Sequence, residues 1–395
     1  MQMPMPMGPQ APLGVSDSRN GSGTSWLPDD SQMSGAMRTA GAWSLMWHGA
    51  AFLTATDSNG PRGDHEIGSE NWFMVSAARS AAGGVLTVHG MTSLEPLTVG
   101  RCGYPDLLQT GELCRGEPLH DAQHPHDLFM EVAADYRRAV NDRLAFEIYG
   151  GPAGDPALGP TAFPHRPSAD GSPMAPISHH WLDSTHVSFG VVTAGLYGRV
   201  WKAEGSVFNG REPDDRRYGI DLAALNSYSG RLWWVPSSRW AFQVSAGHLQ
   251  DAEASAGGPR QSVMRATASG TYHHIVDGRL WATTVAWGRN VEAGRASKAF
   301  LAETTAEVTA KDDVFARVEL MGKTPEELAA PLAADEAVTV SKVELGYTRW
   351  IRQAAGMKWG LGGSAGIGVV PDTLSGVYGG RASLQGSIFL SVRPR

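Results

Sequence analysis

The sequence predicts an all-β fold, a transmembrane antiparallel up-and-down β-barrel of about sixteen strands. Three observations carry this prediction: polar and apolar residues alternate, short and long connections alternate, and tryptophan is abundant while charge is scarce. The 395 residues include 48 glycines and 13 tryptophans, and only 18% of them are charged. No run of about eighteen apolar residues occurs, which excludes helical spans but allows strands, whose lipid-facing residues are only every second one.

The strands are predicted from alternating segments that follow one another from Ala42 onward, separated by clusters of Gly, Pro, Asn and Asp. Their predicted bounds are 41–55, 69–78, 84–95, 127–136, 142–150, 184–193, 196–209, 226–236, 239–249, 262–274, 279–289, 298–309, 313–322, 338–351, 356–369 and 376–392. The spacing also admits fourteen or eighteen strands.

The connections alternate in length. Long connections at 56–69, 96–126 and 151–183 follow or precede short ones at 81–83, 137–142 and 193–196. The later short turns, at 236–239, 275–278, 310–313 and 352–355, are each expected to be followed by a long loop. Outer-membrane barrels have tight periplasmic turns and longer extracellular loops, so we expect periplasmic termini and a bacterial outer-membrane location.

Strand register separates a polar face from an apolar face. In 199–209, Lys202 and Glu204 fall opposite Trp201 and Val207. The same alternation places a mixed set of charges on the inner, lumen-lining face: Glu131, Asp135, Glu147, Lys202, Glu204, Arg231, Arg265, Glu303, Glu307, Arg317, Glu319, Lys342 and Glu344. Such a lining suits an aqueous pore with a mild cation bias. The alternative is that these charges pair across the lumen and keep it wet or plugged.

Tryptophans near strand ends are typical of the aromatic girdles at the two membrane interfaces. The predicted girdle residues are Trp43, Trp47, Trp72, Trp234, Trp240, Trp287 and Trp350.

Two parts are expected: a flexible arm without strands at 1–38, rich in Met, Pro, Gly and Ser, and the barrel at 39–395. The loops at 96–126 and 151–183 are expected to fold over or into the lumen. No signal peptide opens the sequence, and we expect that one was removed or lies upstream. The net charge of -7 argues against nucleic acid as a partner.

Candidate metal ligands gather in three segments. The second long loop carries His120, Asp121, His124, His126 and Asp127, imidazole and carboxylate donors that suit copper(II) or zinc. The next long loop adds His165, His179, His180, Asp183 and His186. The arm adds the thioethers of Met1, Met3, Met5 and Met7, which select Cu(I). Packing of the histidines within rigid loops, and chance composition of the arm, are the alternatives.

Cys102 and Cys114 share one short segment, which predicts a local disulfide in an oxidising compartment, with two unpaired thiols as the alternative. A barrel-embedded hydrolase is the enzymatic alternative, because His120 with Asp121, or His186 with Asp183 and Ser184, supplies the residue types of a hydrolytic site. No G-x-S-x-G motif accompanies them, so we predict no enzyme and assign no catalytic residues.

Several segments resemble an uncharacterised family of Gram-negative outer-membrane β-barrel proteins: SLEPLT at 93–98, the Cys- and His-containing stretch at 101–127, YGGPAGD at 149–155, HHWLDSTH at 179–186 and FNGREP at 208–213. The resemblance runs from about residue 24 to the C-terminus and implies an outer-membrane address and an association with heavy-metal or copper tolerance. It transfers no catalytic residues. The chain departs from the usual barrel terminus, since it ends FLSVRPR rather than on an aromatic residue.

The sequence therefore predicts an outer-membrane channel or binding protein for a small solute or a metal ion, copper included. Its partners would be lipid and that solute; no cofactor is certain beyond a copper or zinc ion, and the oligomeric state is left open. A non-selective porin and a structural barrel are the alternatives.

Overall fold

A closed antiparallel barrel of sixteen strands forms the body of the molecule, for which we use a computed structural model describing residues 9–32, 35–100, 102–253, 260–324, 327–330 and 337–394. The strands of this described chain are β1 Gly35–Ala40, β2 Trp43–Ser58, β3 His65–Gly68, β4 Asn71–Ala81, β5 Gly84–Thr92, β6 Tyr104–Cys114, β7 Glu117–Gln123, β8 Phe129–Asn141, β9 Leu144–Ala153, β10 Val191–Tyr197, β11 Trp201–Phe208, β12 Ser227–Ser237, β13 Trp240–Glu253, β14 Gln261–Val276, β15 Arg279–Glu292, β16 Arg295–Thr309, β17 Asp312–Lys323, β18 Val338–Ala354, β19 Met357–Val369 and β20 Ala382–Pro394. The α-helices are single turns: α1 Glu95–Thr98, α2 His179–Leu182 and α3 Ser375–Tyr378.

The barrel closes where β20 pairs with β2, with Ala51 opposite Val392. Two short strands complete the wall rather than add to it. On one edge of β2, β1 pairs with its first half and β20 with its second half. On the other edge, β4 pairs with the first half and β3 with the second half. β6 and β7 form a separate hairpin that is not part of the wall and contacts the lumen-facing side chains of Lys342 and Gln385. The predicted fold class and strand number are confirmed.

Side chains alternate between lipid and lumen along every wall strand, as β12 illustrates. Ser229, Arg231 and Trp233 are buried inside, whereas Leu232 and Trp234 are more than half exposed outside. An exterior of this composition would be costly in water but suits lipid, whose hydrocarbon accepts apolar side chains. The chain is therefore an outer-membrane barrel, as predicted.

An aromatic row forms part of the expected girdle on the outer surface. Trp234 stacks on Phe242, Phe242 on Trp240, and Trp240 contacts Tyr272. The girdle prediction is wrong for Trp72 and Trp350, which face inward because strand parity places them on the lumen side. Trp72 contacts His48, and Trp350 is buried and donates a hydrogen bond to Asp313.

Short turns join the strands at one end of the barrel. Asp277-Gly278 and Ala355-Gly356 each place both turn residues at positive φ, the backbone that matches the twist of the flanking strands in a two-residue hairpin. Long connections lie at the other end, with one exception that we did not expect. β15 and β16 are joined by Ala293-Gly294 alone, because the residues predicted as a long loop pair with each other and extend both strands.

Two predicted strands differ from the structure in position. The segment 184–193 contains a 3-10 turn at Ser184–His186, and β10 begins only at Val191, so the predicted turn at 193–196 is wrong and lies at 198–200 instead. The last strand begins at Ala382 rather than 376, since α3 occupies part of the predicted range.

The arm is not free of structure where it is described. Residues 9–32 lie against the lumen wall near the short turns, where Arg19 donates to the Arg199 carbonyl and the Asp30 N–H to the Ser238 carbonyl. β1 begins within the predicted arm. Trp26 is buried against Tyr197 and under the Lys202 ammonium, and Arg19 pairs with Asp29 at 2.7 Å. A tryptophan and a leucine in a polar stretch were the missed signal for this packing.

None of the helices in the described ranges has the length and apolar character needed to cross a membrane.

Candidate functional site

The lumen contains a folded segment, residues 154–190 between β9 and β10, which we call the plug. Most of its residues are buried. It is bound to several parts of the wall: Ala157 donates its backbone N–H to Ser206 at 2.7 Å, Gly159 to Ser245 at 2.8 Å, and Ser168 accepts a bond on its carbonyl from Thr305 at 2.9 Å. The plug therefore contacts strands β11, β13 and β16 at once.

Arg166 is the charged centre of the plug. Its side chain is 1% exposed and pairs with Asp183 of the plug at 2.8 Å and with Glu303 of β16 at 2.5 Å. Glu303 also pairs with Arg317 of β17 at 3.2 Å. Burial by itself would raise the pKa of Asp183, but Arg166 and the His179 hydrogen bond outweigh it and hold that pKa below its usual range.

Further polar contacts surround this centre. Ser172 donates to Glu344, and Ser178 donates its hydroxyl to Glu319 at 2.7 Å. The other wall charges also find partners, among them Lys202 with Glu147 at 3.1 Å and Arg231 with Glu204 at 2.8 Å. Acid and base thus neutralise each other across the plug and wall.

The structure buries twelve of the thirteen predicted lumen-lining residues. The exception is Glu307, which is half-buried near the short turns and accepts the Leu280 N–H. Sequence reasoning missed Arg166, Asp106 and Asp155, three buried charged residues that lie outside the barrel wall, on the plug and on β6. The signal available for Arg166 was its position between Pro164 and Pro167, in a stretch with few other charges.

Histidines from two loops that are far apart in sequence lie together next to the charged centre, to which His179 is joined through Asp183. The His126 ring lies 5.3 Å from that of His186, which lies 5.1 Å from that of His179. His126 bonds Glu95 through Nδ1 at 2.9 Å, and His179 bonds Asp183 through Nδ1 at 2.8 Å.

His124 and His180 extend this group, with ring centroids 6.2 Å apart. His124 pairs with Glu112 at 3.2 Å and His180 with Glu212 at 3.5 Å. His180 approaches the hairpin so closely that a Cβ at Gly111 would lie 2.2 Å from its Nε2. We call His124, His126, His179, His180 and His186 the histidine cluster.

Most of the histidine cluster is held neutral. Burial lowers the pKa of His180 to about 4 and lowers the pKa values of His124 and His186 well below the usual range. Burial also lowers the pKa of His179, although Asp183 opposes it. Burial disfavours a charge on His126, yet the Glu95 carboxylate raises its pKa above the usual value.

The remaining metal candidates lie elsewhere. His120 is exposed on the hairpin opposite Thr110, while Asp121 pairs with Arg62 at 2.7 Å and Asp127 with Arg217 at 3.3 Å. Met1, Met3, Met5 and Met7 fall outside the described residues. Within the ranges described above, no three His, Cys, Asp or Glu side chains have the arrangement needed to hold a metal ion, so the metal expectation stays a prediction.

A disulfide joins Cys102 and Cys114, as predicted, with their Cα atoms 5.6 Å apart. It links the segment just before β6 to the last residue of β6, beside the turn of the β6–β7 hairpin, which carries Glu112 and brings Gly111 close to His180. The disulfide therefore fixes the loop that faces the plug from the long-loop end.

The residue types of a hydrolytic site are present but differently engaged. Ser184 accepts a hydrogen bond from Arg265 at 2.9 Å, and His186 directs Nδ1 to the carbonyl of Asp183 at 2.8 Å. Neither contact is the Ser–His hydrogen bond that activates a nucleophile.

A cavity of about 40 Å³ lies between the plug and β2–β4. Trp72, Glu95, His126 and Phe163 are among the residues that line it. Such a volume holds about one or two water molecules. As far as the chain is described, this part of the lumen is therefore filled by protein rather than by an aqueous channel.

No protein-family model and no curated protein sequence matches the chain. Solved structures do. An anion-selective porin from Comamonas acidovorans superposes with a TM-score of 0.51 at 9% identity, covering 89% of this chain and 99% of the porin. The chain has the fold of bacterial outer-membrane porins.

Two further structures agree. OprB of Pseudomonas putida gives a TM-score of 0.52 at 10% identity, covering 89% of this chain and 94% of OprB. The outer-membrane channel DcaP of Acinetobacter baumannii gives 0.50 at 8% identity, covering 90% of this chain and 99% of DcaP. At these identities the similarity concerns the fold alone.

Proposed function

We propose that the chain is an outer-membrane channel for a small solute and that the plug closes its lumen. The observation that carries the proposal is the pairing of Arg166 with Glu303, which ties the plug to the wall through buried charges. Charged groups buried in protein lose hydration, and an ion pair returns only part of that cost. Water that enters an open lumen would hydrate both Arg166 and Glu303. The plug can therefore leave the wall without placing an unpaired charge in an apolar environment.

The proposed cargo is a small cation or neutral solute. Eight of the predicted lumen-lining residues are acidic and five are basic. Once the plug withdraws its own Arg166, these thirteen residues carry a net negative charge, which favours cations, although the buried wall bases Lys323 and Arg393 reduce that excess. Ion selectivity of the open state tests this directly, because reversal potentials in a salt gradient report the sign of the favoured ion.

The decisive experiment replaces the plug. Gly151 of β9 pairs with Val191 of β10, so a short Gly-Ser hairpin can join these strands without opening the barrel. We expect the plug-replaced protein to conduct ions in planar bilayers. A folded variant that does not conduct would contradict the proposal that the plug closes the lumen.

A crosslinked variant separates a gated channel from a permanently closed one. The hydroxyls of Ser168 and Thr284 lie 2.7 Å apart, so Ser168→Cys and Thr284→Cys place two thiols within reach of a disulfide between plug and wall. We expect openings of the unaltered protein that the oxidised crosslink abolishes and reduction restores. The unaltered protein with reductant is the control for the native disulfide. Silence of the unaltered protein under all voltages, beside conduction without the plug, would instead favour a structural barrel.

A second candidate function is binding of a copper(II) or zinc ion at the histidine cluster. The observation that favours it is that the Nε2 atoms of His180 and His186 are buried and find no hydrogen-bond partner within the ranges that the structure describes. Calorimetric titration of the refolded protein tests it, beside the triple His120/His124/His126→Ala variant and a His186→Ala variant. Binding that both variants lose supports the site, and unchanged binding removes it.

A further inference from the structure

His48 is a buried imidazole that forms no hydrogen bond with the described part of the chain. It lies on β2, is 6% exposed, and neither Nδ1 nor Nε2 has a hydrogen-bond partner among the described residues. A neutral imidazole carries one donor and one acceptor, and burying both without partners costs free energy. A bound ligand that completes these bonds would offset that cost.

Two methionines lie beside His48 at the same height of the wall. Met74 of β4 is the direct register partner of His48, and Met91 of β5 is the direct partner of Met74. Both are buried, while Phe73 and Val75 on either side of Met74 are exposed to lipid. Directly opposed residues place their side chains on one face of a sheet, so the imidazole and both thioethers face the lumen together.

The plug supplies a fourth donor. His165 places Nε2 3.3 Å from the Met91 sulfur, and its ring centroid lies 5.4 Å from that of His48. The Trp72 ring packs against both imidazoles, with centroids 5.2 Å from His48 and 4.9 Å from His165. The two imidazoles and the two thioethers therefore lie together beside the Trp72 indole.

We propose that His48, Met74, Met91 and His165 form a binding site for a soft monovalent cation of the Cu(I) class. Thioether sulfur selects soft ions, and imidazole is a common copper ligand. All four donors are uncharged, which suits a monovalent ion, since a buried divalent ion would need compensating carboxylates. The site shares no residue with the histidine cluster and depends on neither function proposed above.

Silver(I) is the probe for the test, because it matches Cu(I) in charge and softness but needs no reductant, so the Cys102–Cys114 disulfide stays intact. The refolded full chain is equilibrated with silver nitrate in chloride-free buffer, desalted, and analysed for silver per chain and for affinity by competition. The test variant is Met74→Leu/Met91→Leu, which conserves side-chain volume. The matched control is Met321→Leu, a buried methionine in a different part of the lumen.

We expect the double variant to lose one equivalent of silver or to bind it at least about 100-fold more weakly, while Met321→Leu binds as the unaltered protein does. A Met3/Met5/Met7→Ala variant measures the contribution of the arm, and the proposed equivalent should survive in it. Equal binding by the double variant, absence of binding by the unaltered protein, or loss of all silver with the arm methionines would each overturn the proposal.

His48→Leu separates ligand binding from packing. Because the imidazole has no hydrogen bond to lose within the described part of the chain, and leucine can keep the packing against Trp72, the metal-free variant should be at least as stable to heat as the unaltered protein. It should nevertheless bind silver more weakly. Lower metal-free stability together with unchanged silver binding would assign His48 a packing role and overturn the site.

Discussion

Replacing Arg166 with methionine tests the closed lumen most directly. The substitution keeps much of the side-chain volume but leaves Asp183 and Glu303 without their shared partner. Removing one member of a buried ion pair costs about 3–5 kcal/mol. The lower end applies here, because Asp183 keeps His179 and Glu303 keeps Arg317.

A loss of about 3 kcal/mol from the closed state corresponds to an increase of about 150-fold in the ratio of open to closed channels. The assay is single-channel recording in planar bilayers, with the open probability of Arg166→Met compared with that of the unaltered protein. Arg349→Met is the control, since Arg349 forms an exposed pair with Asp312 that contributes little.

The reasoning predicts a partial rescue. Adding Asp183→Asn to Arg166→Met removes one of the two stranded carboxylates, so the double variant should open less often than the single one. A folded Arg166→Met protein, judged by heat-dependent mobility in electrophoresis, with the open probability of the unaltered protein would refute the plug-and-wall ion pair as the element that keeps the channel closed.

Three other predictions follow from buried groups. Burial lowers the pKa of His180 to about 4, so the closed state keeps its full stability above the ordinary histidine pKa and loses about 2 kcal/mol by about pH 5. The raised pKa of His126 opposes this loss, but the lowered pKa values of His124 and His186 add to it. Conductance should therefore rise on acidification, and a fall would contradict the reasoning. Reducing Cys102–Cys114 should cost the hairpin about 3 kcal/mol, so trypsin should cut faster at Arg115 while the barrel keeps its electrophoretic mobility; an unchanged rate would contradict this. Trp26→Ala should weaken docking of residues 9–32 by about 3–5 kcal/mol, and cleavage at Arg19 should rise, whereas equal protection would show that Trp26 does not hold the segment.

The wall of the barrel was predictable because its determinants are local. Alternation along a strand assigns each side chain to lipid or lumen, and a turn such as Asp277-Gly278 marks where one strand ends. The errors occurred where a local pattern was ambiguous. Residues 290–297 contain Gly and polar side chains typical of loops, but Asn290 pairs with Ser297, and the strands continue.

The interior was much less predictable, since its contacts join residues far apart in sequence. Arg166 and Glu303 are separated by more than a hundred residues, and no periodicity links them. The loops that carry the histidines were expected to fold over or into the lumen, and in the structure His126 reaches His186. The partners of those histidines, such as Glu95 and Glu212, could be assigned only once the chain was folded.

The soft-ion site and the proposed gate are connected by geometry. His48, Met74 and Met91 belong to the wall, whereas His165 belongs to the plug, one residue before Arg166. An ion bound by all four would join plug to wall, so it would bind the closed state more tightly than the open one. Linkage then requires that closure strengthen ion binding by the same factor by which the ion favours closure. A soft monovalent cation would in that case favour the closed channel. Two neighbouring plug residues would then hold the plug against the wall, Arg166 through its ion pair with Glu303 and His165 through coordination of the ion.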